Sequence, residues 1–212
     1  MNSQDRQSRI ADMKPARQKI ACLTAYDASF ARLLEQAGMD VVLVGDSLGM
    51  VLQGEADTLK VSMEDMIYHT RVVRKGLQDT LLVADMPYNS YVDPASALAN
   101  ARRLCSEAGA DMVKLEGGRE ILEQVRALCS EGIAVCGHLG LQPQSVHKYG
   151  GYKVQGRSNE DAERIFADAH ALERDGVSMI VLECIPRQLA ARITASLSIP
   201  TIGIGAGPDC DG

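Results

Sequence analysis

The sequence has no tryptophan and only two phenylalanines among its 212 residues. Stacking platforms for single-stranded nucleic acid are therefore poorly supplied. It also has no excess of positive charge: 22 Lys and Arg stand against 28 Asp and Glu, a net charge of −6. That balance argues against a polyanion-binding surface, so no nucleic-acid partner is expected. No apolar run approaches the ~20 residues that span a bilayer, and no membrane partner is expected. The first twenty residues are polar overall and hold no stretch that reads as a secretory signal, so a cytoplasmic location is expected. Neither a GxxxxGK[ST] loop nor a GxGxxG turn opening a helix occurs, which leaves nucleotide folds without support. Six cysteines (Cys22, Cys105, Cys129, Cys136, Cys184, Cys210) are too widely spaced for a CxxC zinc or redox motif and read as buried, reduced thiols.

What is present is material for a core. Apolar residues make up 46% of the chain and charged ones 24%, the balance of a globular domain, and the length suits one domain over 1–212. Seven short runs rich in Val, Ile and Leu recur at 20–25, 41–46, 81–86, 112–117, 134–140, 179–184 and 201–207. Each is too short for a helix and apolar at nearly every position, as a strand buried on both faces should be. Amphipathic stretches of helical period separate them. Gly38, Gly109, Gly132 and Gly176 close most of these at the position of a helix C′ glycine. Asp93 followed by Pro94 reads as an N-cap with proline at the first helical position.

Strand–helix alternation leaves a doubly wound sheet or a (β/α)8 barrel. Polar residues at many strand ends favour the TIM barrel, an α/β fold. Such a barrel typically needs ~250 residues, and the chain stops just past its seventh strand. A barrel lacking the eighth βα unit is therefore expected, its gap left open or filled in another way. The loop at 141–160 is expected to be the longest irregular segment.

The informative feature is a set of polar residues inside otherwise apolar strands. Asp46, Asp85, Lys114, Glu116, His138 and Glu183 all fall near the C-terminal ends of successive predicted strands. That end of a parallel barrel carries the active site. Isolated buried carboxylates are costly, so four of them converging with one lysine suggest a compensating cation. Hard oxygen ligands favour Mg²⁺, which takes one or two carboxylates and leaves its other positions to water and substrate. The competing reading is that one or two of these residues cap helices or pair with arginines. His69 reads as a packed helix residue, and His147 and His170 carry no constellation. Cys136 and Cys184 read as core residues of strands. Gly203, Gly205 and Gly207 fit either an anion-binding turn or a tight strand exit.

The blocks TAYDASFA, VGDSLGMVLQG, ADMPY, MVKLEGG, CGHLGLQPQSV, GGYKVQGR, LECIP and IPTIGIGAG follow one another from about Ala21 to Gly212. Their combination resembles the signature of the ketopantoate hydroxymethyltransferase family. The resemblance implies a barrel of the phosphoenolpyruvate/pyruvate type assembled as a homo-oligomer, a decamer. It implies transfer of a hydroxymethyl group from 5,10-methylenetetrahydrofolate to 3-methyl-2-oxobutanoate, giving 2-dehydropantoate on the way to pantothenate, through an Mg²⁺-stabilised enolate. By motif match, Asp46, Asp85 and Glu116 fall on the family's magnesium ligands. Asp46, Ser47, Asp85 and Lys114 fall on contacts to the oxo acid, and Glu183 on the proton acceptor. His138 is placed as a hydrogen-bond partner of a substrate or ligand oxygen. Two other expectations compete: an Mg²⁺-dependent carbon–carbon lyase of 2-oxo acids, and a shortened, catalytically impaired chain acting as a binding or assembly subunit.

Overall fold

The computed structural model describes residues 1–146, 150–151 and 153–212. Every predicted apolar run contains a strand: β1 (Cys22–Thr24), β2 (Val41–Val44), β3 (Leu81–Asp85), β4 (Met112–Glu116), β5 (Val135–Gly140), β6 (Met179–Glu183) and β7 (Thr201–Ile204). They form one sheet in sequential order, and each neighbouring pair is parallel. This is the order of a (β/α) barrel, here nearly closed.

Among the described residues eight α-helices accompany the strands. They are α1 (Ser3–Met13), α2 (Ala28–Gln36), α3 (Leu48–Val51), α4 (Met63–Arg74), α5 (Pro94–Ser106), α6 (Leu122–Ser130), α7 (Asn159–Arg174) and α8 (Arg187–Ser196). The caps read from sequence are present. Asp93 accepts from the Ser96 N–H with Pro94 opening α5, and the four predicted C′ glycines take φ between +75° and +102°. The connection from β5 to α7 carries a short turn at Pro143–Ser145, and His147 and Tyr152 within it lie outside the described residues.

Strand side chains alternate between faces, and this splits the core in two. Outward-facing Val42, Val44, Leu82, Ala84, Val113, Leu115 and Leu182 pack under the helices. Inward-facing Val41, Leu81, Val83, Met112, Cys136, Met179, Val181 and Ile202 fill the barrel. On the inner face the apolar layers stop at Asp85, Lys114, Glu116, His138 and Glu183, so the mouth is the polar layer of the same alternation.

Helix α1 was not legible as an element, because its sequence is polar but for a few positions. It closes the bottom of the barrel: Ile10 and Met13 join the inner core beside Ile20 and Val41. Arg6 pairs with Asp111 at 2.6 Å, Arg74 reaches the same carboxylate at 3.1 Å, and Asp111 also accepts the Leu82 N–H.

The expected gap after β7 is bridged at its lower end. Gly212 donates to the Thr201 carbonyl and accepts from the Gly203 N–H, while Ile20 donates to the Asp211 carbonyl. The last two residues thus pair with both edges. Nearer the mouth, Leu23 of β1 and Ile204 of β7 are each about half exposed. All six cysteines are free thiols, but only Cys136 and Cys210 are buried. Cys184 corrects the reading of a core strand residue. It lies just past β6, half-buried, with φ +49°, in the left-handed region that non-glycine residues seldom adopt.

Candidate active site

Register explains which side chains meet. Asp85 pairs across from Lys114, Glu116 across from His138, and Gly140 across from Glu183. Because Lys114 and Glu116 are two residues apart on one strand, they share the inner face. The Lys114 ammonium lies 2.9 Å from Asp85 Oδ1 and 3.2 Å from His138 Nδ1. His138 stands between two carboxylates, with Nδ1 3.5 Å from Glu116 Oε1 and Nε2 3.2 Å from Glu183 Oε2. Asp46, two residues beyond β2, donates its backbone N–H to Asp85 Oδ2. The structure therefore brings together Asp46, Asp85, Lys114, Glu116, His138 and Glu183. Ser47 is adjacent, its Oγ 2.8 Å from the Tyr26 hydroxyl.

Burial sets the electrostatics. Asp46 is pushed up to about 8, first by burial and then by the charges of Asp85 and Glu116, against the pull of Lys114. Burial opposes the Lys114 charge, yet Asp85, Glu116 and Asp46 hold its pKa well above the ordinary lysine value. For Glu116 burial acts upward, but His138, Lys114 and the Gln144 N–H together bring it below the usual carboxylate range. His138 rises because its contacts to Glu116 and Glu183 outweigh burial and the nearby lysine. Glu183 is the one carboxylate of the ring open to approach: its side chain is 18% exposed, against 5% or less for Asp85 and Glu116.

Three participants were not singled out in the sequence. Gln144 bridges the ring: its Nε2 donates to Asp46 Oδ2 at 2.8 Å and to the Met86 carbonyl at 2.9 Å. Its backbone N–H donates to Glu116 Oε2 at 3.0 Å. Tyr91 donates to Gln144 Oε1 at 2.6 Å, and Tyr26 holds Ser47. All three lie within or beside quoted motifs, but neutral residues in loops give no charge signal. A cavity of about 200 Å³ opens beside Glu116 and Gln144, walled by Tyr88, Tyr91, Val92 and Ile121.

The residues fit a hard divalent cation. Asp85 Oδ1 and Glu116 Oε1 are buried without an aligned hydrogen bond, although Lys114 lies within ion-pair distance of the former. Among the described residues no three His, Cys, Asp or Glu side chains form a protein-only metal cage. Carboxylate oxygens are hard donors of the kind Mg²⁺ takes, one or two at a time, with water and substrate in its other positions.

Other candidates lie apart. His69 sits in α4 and bonds the Tyr26 carbonyl through Nδ1, while His170 reaches Ser196 on the outer surface. In the glycine run, a Cβ on Gly207 (φ +86°) would stand 2.7 Å from Arg187 Cγ. No helix among the described residues is long and apolar enough to cross a membrane.

A nearly closed parallel barrel with an acidic ring at the C-terminal strand ends defines the class: a TIM-type barrel enzyme. Solved structures share that fold. A putative phosphonomutase from Burkholderia cenocepacia superposes with TM-score 0.76 at 15% identity, over 95% of this chain and 83% of its own. A phosphonopyruvate hydrolase solved with oxalate and Mg²⁺ superposes with TM-score 0.71 at 12% identity, over 93% and 71%. Residues 5–212 match the family model of ketopantoate hydroxymethyltransferase. The 3-methyl-2-oxobutanoate hydroxymethyltransferase of Shewanella loihica is 57% identical over 97% of this chain and 77% of its own length. That of Nitrosococcus oceani is 56% identical over 97% and 78%. The chain belongs to the ketopantoate hydroxymethyltransferase family.

Proposed function

We propose that this chain transfers the one-carbon unit of 5,10-methylenetetrahydrofolate to 3-methyl-2-oxobutanoate, with water supplying the hydroxyl group and tetrahydrofolate released, giving 2-dehydropantoate for pantothenate synthesis. The observation that carries the reading is the division of the acidic ring: three buried carboxylates around Lys114, and a fourth, Glu183, at the rim. Family membership supports the substrates, the folate co-substrate and self-assembly into a homo-oligomer.

Asp46, Asp85 and Glu116 are the residues that would hold Mg²⁺. When bound, the metal supplies a Lewis acid for the keto and carboxylate oxygens of the oxo acid. Asp46, Ser47, Asp85 and Lys114 orient the oxo acid at the mouth. Glu183 takes the C3 proton, which the adjacent carbonyl acidifies, as a general base. His138 Nε2 lies 3.2 Å from Glu183 Oε2, close enough to steer that carboxylate electrostatically. The Lys114 ammonium stands fixed where negative charge grows on the substrate oxygen, so no reorganisation is needed as the proton leaves.

Glu183→Gln tests the assignment. Binding of the oxo acid by calorimetry should stay within a few-fold, while turnover falls by about 10²–10⁴. Unchanged turnover would remove Glu183 as the base.

A further inference from the structure

One pattern at the mouth is not explained by the roles above. Each of the three buried carboxylates has one oxygen held by a neutral N–H. Asp85 Oδ2 accepts the Asp46 N–H, while Oδ1 has no aligned hydrogen bond and faces the Lys114 ammonium at 2.9 Å. Glu116 Oε2 accepts the Gln144 N–H, while Oε1 has no aligned hydrogen bond. Asp46 Oδ2 accepts from the Gln144 side chain. Gln144 thus supplies two of the three anchors, one from its backbone and one from its amide.

The amide can point only one way. Its Nε2 donates to the Met86 carbonyl, which can only accept, as well as to Asp46 Oδ2, so turning the amide oxygen toward them would set it against the carbonyl oxygen. The Tyr91 hydroxyl, 2.6 Å from Oε1, locks that orientation. Gln144 is itself 7% exposed. A buried amide with both ends bonded holds its partners more firmly than a solvated one. The reach also matters. Gln144 comes from the turn after β5 yet contacts residues following β2 and β3, so it spans the mouth across β4.

We propose that Gln144, locked by Tyr91, is a positioning residue for the cation: it fixes one oxygen each of Asp46 and Glu116 so that the remaining oxygens form a site before metal arrives. The inference rests on the magnesium reading given above. Outer-shell partners of this kind typically change metal affinity 10–100-fold when removed.

The test uses the full chain and Mn²⁺ as the probe, with free Mn²⁺ read by electron paramagnetic resonance in the absence of any substrate. Gln144→Met keeps length and apolar volume but removes the amide, and Tyr91→Phe removes only the locking hydroxyl. Gln144→Met should weaken Mn²⁺ binding tenfold or more, and Tyr91→Phe by a smaller factor. Under the proposal, high Mg²⁺ should restore C3–H/D exchange of the oxo acid in Gln144→Met toward the native rate, a rescue that a merely unfolded variant would not show. Native affinity in both folded variants would overturn the positioning role while leaving the metal reading intact. Should Gln144→Met fail to fold, Tyr91→Phe decides alone: native Mn²⁺ affinity in it overturns the proposal. Absence of Mn²⁺ binding by the native chain would overturn both, and the two failures are thereby told apart.

Discussion

Replacing Asp46 with Asn should make the metal-free protein more stable, at the expense of its chemistry. Burial and the charges of Asp85 and Glu116 push the Asp46 carboxyl up to about 8, from an ordinary value of 3.8. A carboxyl whose folded pKa is raised contributes stability that is complete below its unfolded value and lost as pH rises through its folded value. For Asp46 that window runs from about pH 4 to about pH 8. Each pKa unit corresponds to about 1.4 kcal/mol, which puts a ceiling of about 6 kcal/mol on the cost of ionising Asp46 in the fold. Asn keeps an oxygen for the Gln144 amide and carries no charge, and relaxation of the native site absorbs part of the ceiling. A net gain of about 1–3 kcal/mol is expected at pH 8, or about 3–10 °C in Tm for a chain of this length. The assay is thermal unfolding by circular dichroism in EDTA at pH 5 and pH 8. The gain should shrink at pH 5. With excess Mg²⁺ the native chain should gain stability by mass action while the Asn variant gains less. A variant less stable than the native chain at both pH values would refute the reasoning.

Two further predictions concern the scaffold. Asp111→Ala leaves Arg6 and Arg74 without their shared carboxylate at the bottom of the barrel and should cost about 3–5 kcal/mol in urea unfolding. A loss below about 1 kcal/mol would mean that α1 is not held by this cluster. Glu35 accepts backbone N–H groups from Gln78, Asp79 and Thr80; burial opposes its charge, but these bonds lower its pKa below the usual value. A lowered carboxyl contributes stability above its unfolded pKa and loses it as pH falls through the folded one. Glu35→Gln should therefore be destabilised by about 1 kcal/mol at pH 7, and the difference should shrink as pH falls below the ordinary glutamate value of 4.5. A pH-independent difference in the two unfolding curves would contradict the assignment.

Most strands were legible because a strand buried on both faces has nearly every position apolar, and because β3 to β6 carry conspicuous polar exceptions. Asp85, Lys114, Glu116, His138 and Glu183 stood out for that reason, and the register confirms that they share a face. Helix α1 was not legible: the barrel floor needs only Ile10 and Met13 from it, and its strongest tie, Arg6 to Asp111, joins residues 105 apart. Gln144 and Tyr91 escaped for a related reason. Their importance lies in bonds to Asp46, Met86 and Glu116, and a neutral side chain in a loop shows nothing of such partners. The bridging of the seam by Asp211 and Gly212 depends on both strand edges at once and has no local signature.

The central claim is that this ring makes the oxo acid give up its C3 proton. Proton NMR in D₂O can follow C3–H/D exchange of 3-methyl-2-oxobutanoate by the chain, with and without Mg²⁺ and with folate omitted. The account predicts exchange that requires both Mg²⁺ and Glu183. No exchange from a folded chain at saturating Mg²⁺ would contradict it.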